Sequence, residues 1–382
     1  MKAIRSVRKL TYRFATLLVI GFVLLTCSAS ATTNLFVDPS GQTSGSFRTV
    51  QAAITAAPAG TSSNRTVIHI KTGRYTEKIT IPSTKSFLAL VGQTSDPKQV
   101  VLTFNLNATS SNGSGGTVGT TGSTSTTVSA PDFVAKNIMF QNSSHDNIAQ
   151  AVAIKTTTDR IAFQNCRFWG FQDTLYVTNG RQYFKSCTVT GDTDFIFGNA
   201  TAVFDGCTVN ESGPAGYYTA ANTMPATANG LVFLNCTLTG QTNTDIDPTN
   251  NSRYSSVSSV TNNATALGRP WQYTTSKSSV TLINTRMAAC VTNAGWNPWD
   301  SGNTNPGATT RYSEFNSMNL AGATLSVSGR VSWSHQLTSA QAARYTIANI
   351  FGPASFWGSG FSNWGTFVAW DPVAALNAVA NQ

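Results

Sequence analysis

Four short segments of the chain repeat the pattern Phe-x-x-Cys-x-apolar, and no other feature restricts the possible folds as strongly. They read FQNCRFWG, FKSCTVTG, FDGCTVNE and FLNCTLTG, and a fifth copy without cysteine, FVAKNIMF, begins at Phe133. Cys166, Cys187 and Cys207 of the first three copies lie 21 and 20 residues apart. Self-similarity at such a period is typical of stacked repeats, and the copies are short, alternating and rich in Val, Phe and Thr, as strands are.

The repeat predicts an all-β protein, a parallel β-helix solenoid in which each copy forms one rung of the coil. Composition agrees, because only 11% of the 382 residues are charged while Gly, Ser, Thr and Asn are abundant, which argues against coiled coils and helix bundles. We expect the phenylalanines of the repeat to stack inside the coil and the cysteines to form a second ladder. The stacked rings are those of Phe163, Phe184, Phe204 and Phe233.

The cysteine ladder is compatible with two redox states. Adjacent rungs lie about 4.8 Å apart, within the Cα separation of about 4.4–6.8 Å that a disulfide spans. Exported proteins form such bonds, so we predict a Cys187–Cys207 disulfide, with a ladder of buried free thiols as the alternative. Residues 32–382 hold five cysteines and no C-x-x-C pair, so at least one thiol stays unpaired within a single chain and zinc or thioredoxin chemistry is disfavoured.

The ends of a solenoid require caps, and three segments are candidate helices. FRTVQAAITAAPAG, residues 47–60, is the candidate cap at the N-terminal end. SAQAARYTIANIFG from Ser339 and PVAALNAVANQ from Pro372 are candidates at the other end. Two polar segments, residues 107–127 and 242–263, are expected to be long loops, and the first could equally form a weak strand pair.

The N-terminus reads as a secretory signal peptide, residues 1–31. Five basic residues flank the start of the apolar stretch FATLLVIGFVLLTCSA, and Ala29-Ser30-Ala31 fits the small-x-small cleavage pattern. The mature protein is therefore expected to begin at Thr32, to form a single β-helix domain over residues 32–382, and to be secreted. An uncleaved anchor helix and a lipoprotein attached through Cys27 are the alternatives.

The charge of the chain is not that of a nucleic-acid-binding protein. The formal net charge is +9, but five of the 25 basic residues and none of the 16 acidic ones lie in residues 1–31, which leaves +4 for the mature chain. Mild cationic character would suit a polyanionic substrate, although a charge this small is weak support. No basic run suggests nucleic acid, and no segment after the signal is long enough to span a membrane. We expect a monomer.

The repeat singles out two aspartates, because Asp173 lies seven residues after Cys166 and Asp194 seven residues after Cys187. Asp192 is out of this register and is expected to be a turn residue. Adjacent rungs would stack Asp173 on Asp194 at about 5 Å, so that one carboxyl group holds its proton more tightly than the other. Such divergent pairs perform acid and base chemistry, whereas aspartates bonded to backbone amides or to calcium are the alternative.

Three further residues complete a candidate site. Arg269 in LGRPW can pair with one carboxylate, lower its pKa and make it the nucleophile, which leaves the other carboxyl group as the acid. Gln150 and Gln172 supply neutral amide donors that can hold a developing oxyanion. Serine-triad, nucleotide-binding and calcium-dependent lyase chemistry is disfavoured, because the sequence lacks their G-x-S-x-G, G-x-G-x-x-G and P-loop motifs and a larger acidic cluster.

These motifs resemble those of the pectin methylesterases, or pectinesterases, along nearly all of residues 32–382. The resemblance implies a right-handed parallel β-helix that hydrolyses the methyl esters of galacturonate units in pectin. It implies methanol and demethylated pectin as products, with no metal or organic cofactor. The matching segments are, in chain order, GRYTEKI from Gly73, QAVAI from Gln150, GFQDTLY from Gly170, GDTDFIFGNA from Gly191 and LGRPW from Leu267.

The resemblance also implies roles for individual residues. Asp194 of DFIFG would be the nucleophile and Asp173 of QDTLY the general acid and base. Gln150 and Gln172 would form the oxyanion hole, and Arg269 would orient Asp194. The residues expected to line the sugar groove are Tyr176, Phe197 and Trp271, with the Phe197 side chain on the groove side.

The chain departs from the family pattern at two places. QAVAI is followed by Lys155 where many members carry arginine, a change expected to be of small consequence. Residues 241–263 form a longer and more polar segment than expected, which leaves the shape of the groove open. A long N-terminal inhibitory domain, which some plant members carry, is not expected.

Three other functions are compatible with these residues. A β-helix glycosidase acting on polygalacturonate also uses paired aspartates, and carboxyl groups about 5 Å apart would suit a retaining mechanism. A non-catalytic carbohydrate-binding or adhesin solenoid would keep its function without Asp194. An esterase or thioesterase with another substrate would be favoured by loss of the groove aromatics, but Tyr176 and Trp271 are present.

Overall fold

Parallel ladders join each rung of the chain to the next. The computed structural model describes residues 32–144, 149–240, 260–271, 277–300, 306, 310–352 and 368–380. In these residues every ladder between named strands is parallel. The strands are β1 (Thr33–Val37), β2 (Thr66–Ile70), β3 (Gly73–Thr76), β4 (Ile79–Ile81), β5 (Leu88–Gly92), β6 (Val100–Phe104), β7 (Thr126–Val128), β8 (Val134–Lys136), β9 (Met139–Asn142), β10 (Ile154–Thr156), β11 (Ile161–Gln164), β12 (Arg167–Trp169), β13 (Leu175–Val177), β14 (Arg181–Lys185), β15 (Thr188–Gly191), β16 (Ile196–Gly198), β17 (Thr201–Asp205), β18 (Thr208–Glu211), β19 (Thr219–Ala221), β20 (Leu231–Leu234), β21 (Thr237–Gly240), β22 (Ser278–Ile283), β23 (Arg286–Met287), β24 (Thr310–Phe315), β25 (Met318–Asn319) and β26 (His335–Gln336).

The strands form three sheets, and the chain visits them in turn. Sheet A has the order β1-β2-β5-β8-β11-β14-β17-β20-β22-β24-β26, sheet B the order β25-β23-β21-β18-β15-β12-β9-β6-β3, and sheet C the order β19-β16-β13-β10-β7-β4. Strands β11, β12 and β13 therefore make one rung, and β14, β15 and β16 make the next. The arrangement confirms the predicted parallel β-helix, in which each strand is hydrogen-bonded to the strand one turn away rather than to its neighbour in sequence.

The repeated phenylalanines stack as predicted. Phe163 is paired with Phe184, Phe184 with Phe204, and Phe204 with Phe233 in the ladders of sheet A. Their ring centroids lie 5.0, 4.6 and 4.7 Å apart with interplanar angles of 8–12°. The rings are buried in the main core, where such offset stacks add to the burial of apolar surface.

The fifth copy of the repeat is shifted by two residues from the predicted register. Ala135, rather than Phe133, is paired with Phe163 in sheet A. Phe133 still faces the core, because a shift of two residues keeps a side chain on the same side of a strand, and its ring packs edge-on against Phe163. The pattern FVAKNIMF therefore belongs to the repeat, with AKNI as the part that is in register.

On each of seven rungs one residue turns the chain from sheet A to sheet B, and it lies directly before the cysteine of the repeat or before the residue in register with that cysteine. These residues share a positive φ angle between 49° and 61°, the left-handed region that ordinary residues adopt only at a cost. The asparagines among them form side-chain hydrogen bonds between rungs, such as Asn165 Nδ2 to Asn137 Oδ1 at 2.9 Å and Asn316 Nδ2 to Asn284 Oδ1 at 2.9 Å. The turn column consists of Asn137, Asn165, Ser186, Gly206, Asn235, Asn284 and Asn316.

The predicted Cys187–Cys207 disulfide is absent, and the ladder consists of free thiols. The thiols are buried, and each one finds a backbone acceptor: Cys187 Sγ donates to Lys185 O at 3.4 Å, and Cys207 Sγ to Phe184 O at 3.3 Å. The Cys187 amide donates in turn to Cys207 Sγ at 3.3 Å. A buried thiol behaves as a small apolar group with a weak donor, so these contacts satisfy it without a covalent bond.

Helices form at the predicted places. Helix α1 (Val50–Ala56) is capped by the Thr49 side chain and by Glu77, whose carboxylate oxygens accept from the amides of Val50 and Gln51, both at 2.9 Å. It contacts β1, β2 and β4 at the first rungs. The other helices are α2 (Gly119–Gly122), α3 (Ser339–Ala342), α4 (Ile347–Phe351), α5 (Pro372–Asn377) and a 3-10 turn at Pro97–Gln99.

The C-terminal helices lie on the outer face of sheet A rather than beyond its last strand. Ile350, Phe351 and Leu376 pack against side chains of sheet A such as Val134 and Tyr183. That face carries mostly small apolar side chains, which would otherwise be exposed to water, so covering it is favourable. The polar segment 107–127 holds α2, the start of β7 and an isolated antiparallel bridge between Ser111 and Thr117.

Several predictions concern residues outside the described part of the chain. The signal peptide with Cys27 is one, and most of the polar segment 242–263 is another, because residues 1–31 and 241–259 are not described. Residues from Thr32 onward form one compact unit. None of the described helices has the length and apolar character needed to cross a membrane.

Candidate active site

The two aspartates of the repeat occupy equivalent positions on adjacent rungs. Asp173 lies two residues before β13 and Asp194 two residues before β16, and Leu175 of β13 is paired with Ile196 of β16. The Asp173 amide donates to Thr193 O at 3.0 Å. Both aspartates are buried and have positive φ angles, 66° and 52°. Backbone strain of this kind is found where a structure fixes functional side chains.

Asp192 is a turn residue, as expected. Its amide donates to Phe171 O at 3.3 Å, and its side chain accepts from the amide of Thr193. The preceding residue must be glycine, because a Cβ at Gly191 would lie 2.3 Å from Phe195 Cβ. The turn therefore directs Phe195 into the core and Asp194 towards the outside of the coil.

Arg269 binds Asp194 with both arms of its guanidinium. Nε donates to Oδ1 at 2.9 Å and Nη2 to Oδ2 at 2.6 Å, a bidentate geometry that fixes the carboxylate in one orientation. The backbone of LGRPW is held by the Arg269 amide, which donates to Thr219 O at 3.0 Å. Gly268 permits this close approach, since a Cβ there would lie 2.0 Å from Thr219 Oγ1.

The surroundings of the two carboxyl groups move their pKa values to different extents. Burial raises the pKa of Asp173 well above its ordinary value, and the negative charge of Asp194 raises it further. Burial also raises the pKa of Asp194, but the hydrogen bonds and the charge of Arg269 oppose that rise. Arg269 lowers this pKa, as the sequence led us to expect, but the net direction is upward because burial outweighs the guanidinium. The pKa of Asp173 is therefore raised more than that of Asp194, because only Asp194 has the guanidinium as a hydrogen-bonded partner.

Gln150 and Gln172 lie at the same end of the rungs as the aspartates. The Ala151 amide donates to Gln172 O at 3.1 Å, which places the two glutamines on neighbouring turns. Both are partly exposed. Neither side-chain amide is engaged by another residue of the described chain, so their N–H groups are available to a ligand.

The predicted groove aromatics form one cluster on the outer face of sheet C. The rings of Tyr176 and Phe197 stack with centroids 4.2 Å apart and planes 11° apart. Trp271 lies over both rings, at 6.3 Å from Tyr176 and 5.8 Å from Phe197. Phe197 thus points outward as expected, while Ile196 belongs to the interior.

Two aromatic residues that the sequence analysis missed hold Arg269 in place. The guanidinium carbon lies 4.1 Å from the ring centroid of Tyr217 and 4.4 Å from that of Trp299. Both distances are within the range of cation–π attraction. Neither residue belongs to the Phe-x-x-Cys repeat, and the only signal was the aromatic richness of AGYY and GWNPW.

One further buried acid lies beneath the turn of Asp192. Glu211 is paired with Gly191 in sheet B and is fully buried. Burial raises its pKa to about 9, so it is neutral at pH 7, and its Oε1 accepts from the Gly213 amide at 2.8 Å. The described residues contain no group of three or more His, Cys, Asp or Glu side chains that could hold a metal ion.

Comparisons with known proteins agree with these features. The family model described as Pectinesterase matches residues 37–353. Pectinesterase 31 of Arabidopsis thaliana is 35% identical over 315 residues, which are 81% of this chain and 90% of that protein. Pectinesterase 3 of Citrus sinensis is 33% identical over 86% of this chain, but the match spans only 51% of its length.

Solved structures are similar over most of the chain. Pectin methylesterase PemA from Erwinia chrysanthemi is 31% identical with a TM-score of 0.69, and the match covers 84% of this chain and 98% of that one. The carrot pectin methylesterase is 30% identical with a TM-score of 0.69, over 85% and 94%. A pectin methylesterase in complex with a hexasaccharide is 31% identical with a TM-score of 0.68, over 84% and 98%. This chain therefore belongs to the pectinesterase family.

Proposed function

We propose that this chain hydrolyses the methyl esters of galacturonate units in pectin, with Asp194 as nucleophile and Asp173 as general acid and base. The observation that carries the proposal is the asymmetry of the pair. Asp194 is held by the two arms of Arg269, at 2.9 and 2.6 Å. Asp173 on the adjacent rung has no such partner among the described residues, and its pKa is raised well above the ordinary value.

The first step forms an acyl-enzyme. A carboxylate oxygen of Asp194 attacks the ester carbonyl carbon, and the carbonyl electrons move to oxygen. The amides of Gln150 and Gln172 donate to this oxyanion without neutralising the nucleophile. As the intermediate collapses, the bond to the methoxy oxygen breaks, and Asp173 gives its proton to that oxygen so that methanol leaves.

The second step restores the enzyme. Asp173, now ionised, removes a proton from water, and the hydroxide attacks the acyl carbon of the anhydride. The bond to Asp194 breaks, so Asp194 returns as a carboxylate while Asp173 is again protonated. The sugar keeps a carboxyl group, which ionises in solution. Every proton and electron pair is accounted for by the two aspartates and water, without a cofactor.

The aromatic cluster supplies the surface for the sugar chain. Tyr176 and Trp271 are partly exposed on this face, while Phe197 is buried and supports the Tyr176 ring by stacking on it. Aromatic rings of this type suit the apolar sides of pyranose rings. The related pectin methylesterase solved with a hexasaccharide supports a groove that binds several sugar units.

The proposal includes export as a monomer that is secreted after removal of residues 1–31. It is supported by the basic start of the chain, the apolar stretch that follows and the small residues Ala29 and Ala31 around the cleavage site.

The decisive experiment measures methanol release from highly methylated pectin. We expect wild type to release methanol, Asp194→Ala to lose at least about 10⁴-fold in kcat, as removal of a nucleophile does, and Asp173→Ala to lose at least about 10²-fold. Asp192→Asn is the matched control, because Asp192 is a turn residue of the same segment, and it should retain most of the activity. Reducing ends that accumulate without methanol would show a glycosidase instead.

A further inference from the structure

The loop that follows β18, residues 212–217, lies against the turn that precedes the proposed nucleophile. The Ser212 amide donates to Gly191 O at 2.9 Å, and the Tyr217 amide donates to Asp192 O at 3.0 Å. The Ser212 hydroxyl donates to Gly191 O as well, at 3.0 Å. Both ends of the loop are therefore bound to the backbone of this turn.

The same loop contacts the segment that carries Arg269. The Ala266 amide donates to Gly216 O at 3.0 Å, and the Tyr218 amide donates to Ala266 O at 3.1 Å. The ring centroid of Tyr217 lies 4.1 Å from the guanidinium carbon of Arg269. The loop therefore joins the turn before the nucleophile to the arginine that holds it, and a shift of the loop would move one against the other.

Glu211 closes this loop from inside the coil. Val209, two residues earlier, belongs to the main core, so the alternation of β18 turns Glu211 inward as well. The Glu211 side chain is fully buried, and its Oε1 accepts from the Gly213 amide at 2.8 Å. A Cβ at Gly216 would lie 2.8 Å from Oε2 and 1.8 Å from Asp192 O. The loop is therefore packed tightly against both the carboxyl group and the turn.

The surroundings of Glu211 favour the neutral form of its carboxyl group. Among the described residues, the titratable groups that face it are those of Asp192, Tyr218 and Cys290, and none of the three is a cation. Burial raises the pKa of Glu211 to about 9, and the charge of Asp192 adds to the rise. A carboxylate here would bring a second negative charge close to Asp192 in a buried position, which is unfavourable. At pH 7 the loop is therefore held by an uncharged acceptor.

We propose that Glu211 is a positioning residue for the reaction at Asp194. As a neutral acceptor it holds the loop 212–217, and the loop holds the turn before Asp194 and the Tyr217 ring on Arg269. Glu211 is enclosed in the coil, so it affects the reaction through this alignment and not by contact with the substrate. The inference rests on the proposed function and adds a residue to the site that it describes.

The test removes the acceptor while keeping most of the volume of the side chain. Glu211→Met offers the Gly213 amide only a weak acceptor. We expect its kcat for methanol release at pH 7 to fall about tenfold, because a displaced nucleophile reacts more slowly, and its KM to stay within about twofold, because the groove is unchanged. Glu211→Gln keeps a neutral acceptor of the same shape, so its kcat should stay within about twofold of that of wild type.

The pH profile gives a second readout in the same assay. In Glu211→Met the guanidinium of Arg269 is held less firmly, so it opposes the upward shift of the Asp194 pKa less effectively. The acidic limb of the kcat/KM profile should therefore move to higher pH in Glu211→Met and stay in place in Glu211→Gln.

Glu77→Met is the matched control. Glu77 also accepts from backbone amides, those of Val50 and Gln51, both at 2.9 Å, but it caps helix α1 at the first rungs. This control should lower the thermal unfolding midpoint and leave kcat and the acidic limb unchanged. A loss of kcat in Glu77→Met as large as that in Glu211→Met would show that kcat follows stability, which would contradict a positioning role.

Two further results would overturn the inference. One is a folded Glu211→Met with the kcat and the acidic limb of wild type, and the other is a Glu211→Gln that loses as much kcat as Glu211→Met. Wild type that releases no methanol would overturn the proposed function itself.

Amide hydrogen exchange checks the same contact without catalysis and without Glu211→Met. In wild type, the protection of residues 212–217, corrected for the intrinsic exchange rate, should fall about threefold or more from pH 7 to pH 9, as Glu211 ionises and the loop opens more often. Protection in Glu211→Gln should stay constant over this range. Equal pH dependence in the two proteins, or none in either, would contradict the inference.

Discussion

At the scale of single residues, the site is organised around one guanidinium group. Arg269 lies between the rings of Tyr217 and Trp299 and donates through two nitrogens to Asp194. The guanidinium group is planar, so its faces can contact the aromatic rings while its edge donates hydrogen bonds to the carboxylate. Lysine has neither a planar group nor a fork, so it cannot replace arginine here.

The first prediction concerns Arg269→Lys. This change removes the two guanidinium hydrogen bonds that oppose the upward shift of the Asp194 pKa, so that pKa rises further. Asp194 must be ionised to attack, so the acidic limb of the kcat/KM profile for methanol release should move to higher pH. The maximal rate should fall about 10²-fold, since the carboxylate is no longer held in one orientation.

Arg330→Lys provides the matched control for this prediction. Arg330 also binds a carboxylate with two nitrogens: Nε donates to Glu314 Oε1 at 2.9 Å and Nη2 to Glu314 Oε2 at 3.1 Å. This pair lies in the last rungs. This control should cost stability and leave the acidic limb where it is. An acidic limb that does not move in Arg269→Lys would contradict the role of the guanidinium.

At the scale of elements, the residue type in the turn column determines how much backbone strain each rung carries. Five of its seven members are asparagine, which tolerates the left-handed region, and one is Gly206, which adopts it freely. Ser186, with a φ of 50°, is the exception. It also interrupts the row of side-chain hydrogen bonds that begins with Asn137 and Asn165.

The second prediction follows from that exception. Ser186→Asn should raise the free energy of unfolding by about 1 kcal/mol, because asparagine adopts the left-handed turn at lower cost and its amide can extend the row from Asn165. The midpoint of urea denaturation should increase with an unchanged slope. Ser186→Ala, which gains neither advantage, should not be stabilised; a midpoint as high as that of Ser186→Asn would exclude this explanation.

The third prediction concerns the buried acid of β18. The pKa of Glu211 is about 9 in the folded protein and near 4.5 in the unfolded chain. Between these values the folded state binds the extra proton, so the contribution of Glu211 to stability falls as pH rises, by up to about 1.4 kcal/mol per pH unit. Glu211→Gln removes this contribution. Stability measured from pH 5 to pH 9 should fall less steeply in the variant than in wild type, and equal slopes would refute the assignment.

At the scale of the whole molecule, one continuous core runs along the coil. It includes residues from Val37 in the first rung to Trp333 near the last, with the stacked phenylalanines and the cysteines in between. The cysteines are part of this core as apolar groups and not as cross-links.

The fourth prediction counts thiols in the secreted protein. The chain has six cysteines, and removal of residues 1–31 takes away Cys27. A thiol reagent should therefore find five groups in denaturant without reductant and almost none in the native state, because all five are buried. Three thiols would indicate a disulfide after all, and six would indicate that the signal peptide is retained.

Much of the fold and of the site was predictable, because both follow from the repeat. Counting from the cysteines pairs Asp173 with Asp194, and the ladder of β13 and β16 has this register. Tyr217 and Trp299 were not predictable, since they act through contacts with Arg269, which is far from both in sequence. The raised pKa of Glu211 was not predictable either, because its main cause is burial in the folded coil. The upward shift of the Asp194 pKa was also not predictable from the sequence, because its main cause is burial in the folded coil. The C-terminal helices were found, but their place on sheet A depends on which outer face is apolar.

The register of the rungs has a consequence for how such a protein can change. Successive members of the core row, from Phe163 through Phe184, Phe204 and Phe233 to Leu282, are 21, 20, 29 and 49 residues apart along the chain, yet each is paired with the next. The hydrogen-bonded ladder, and not the length of the connection, decides where the next rung begins. Connections can therefore be lengthened, shortened or exchanged between relatives while the separation of Asp173 and Asp194 stays that of two neighbouring strands. Asp173, Asp194 and Arg269 themselves lie between strands, so the connections that are open to exchange are those that carry no residue of the proposed site.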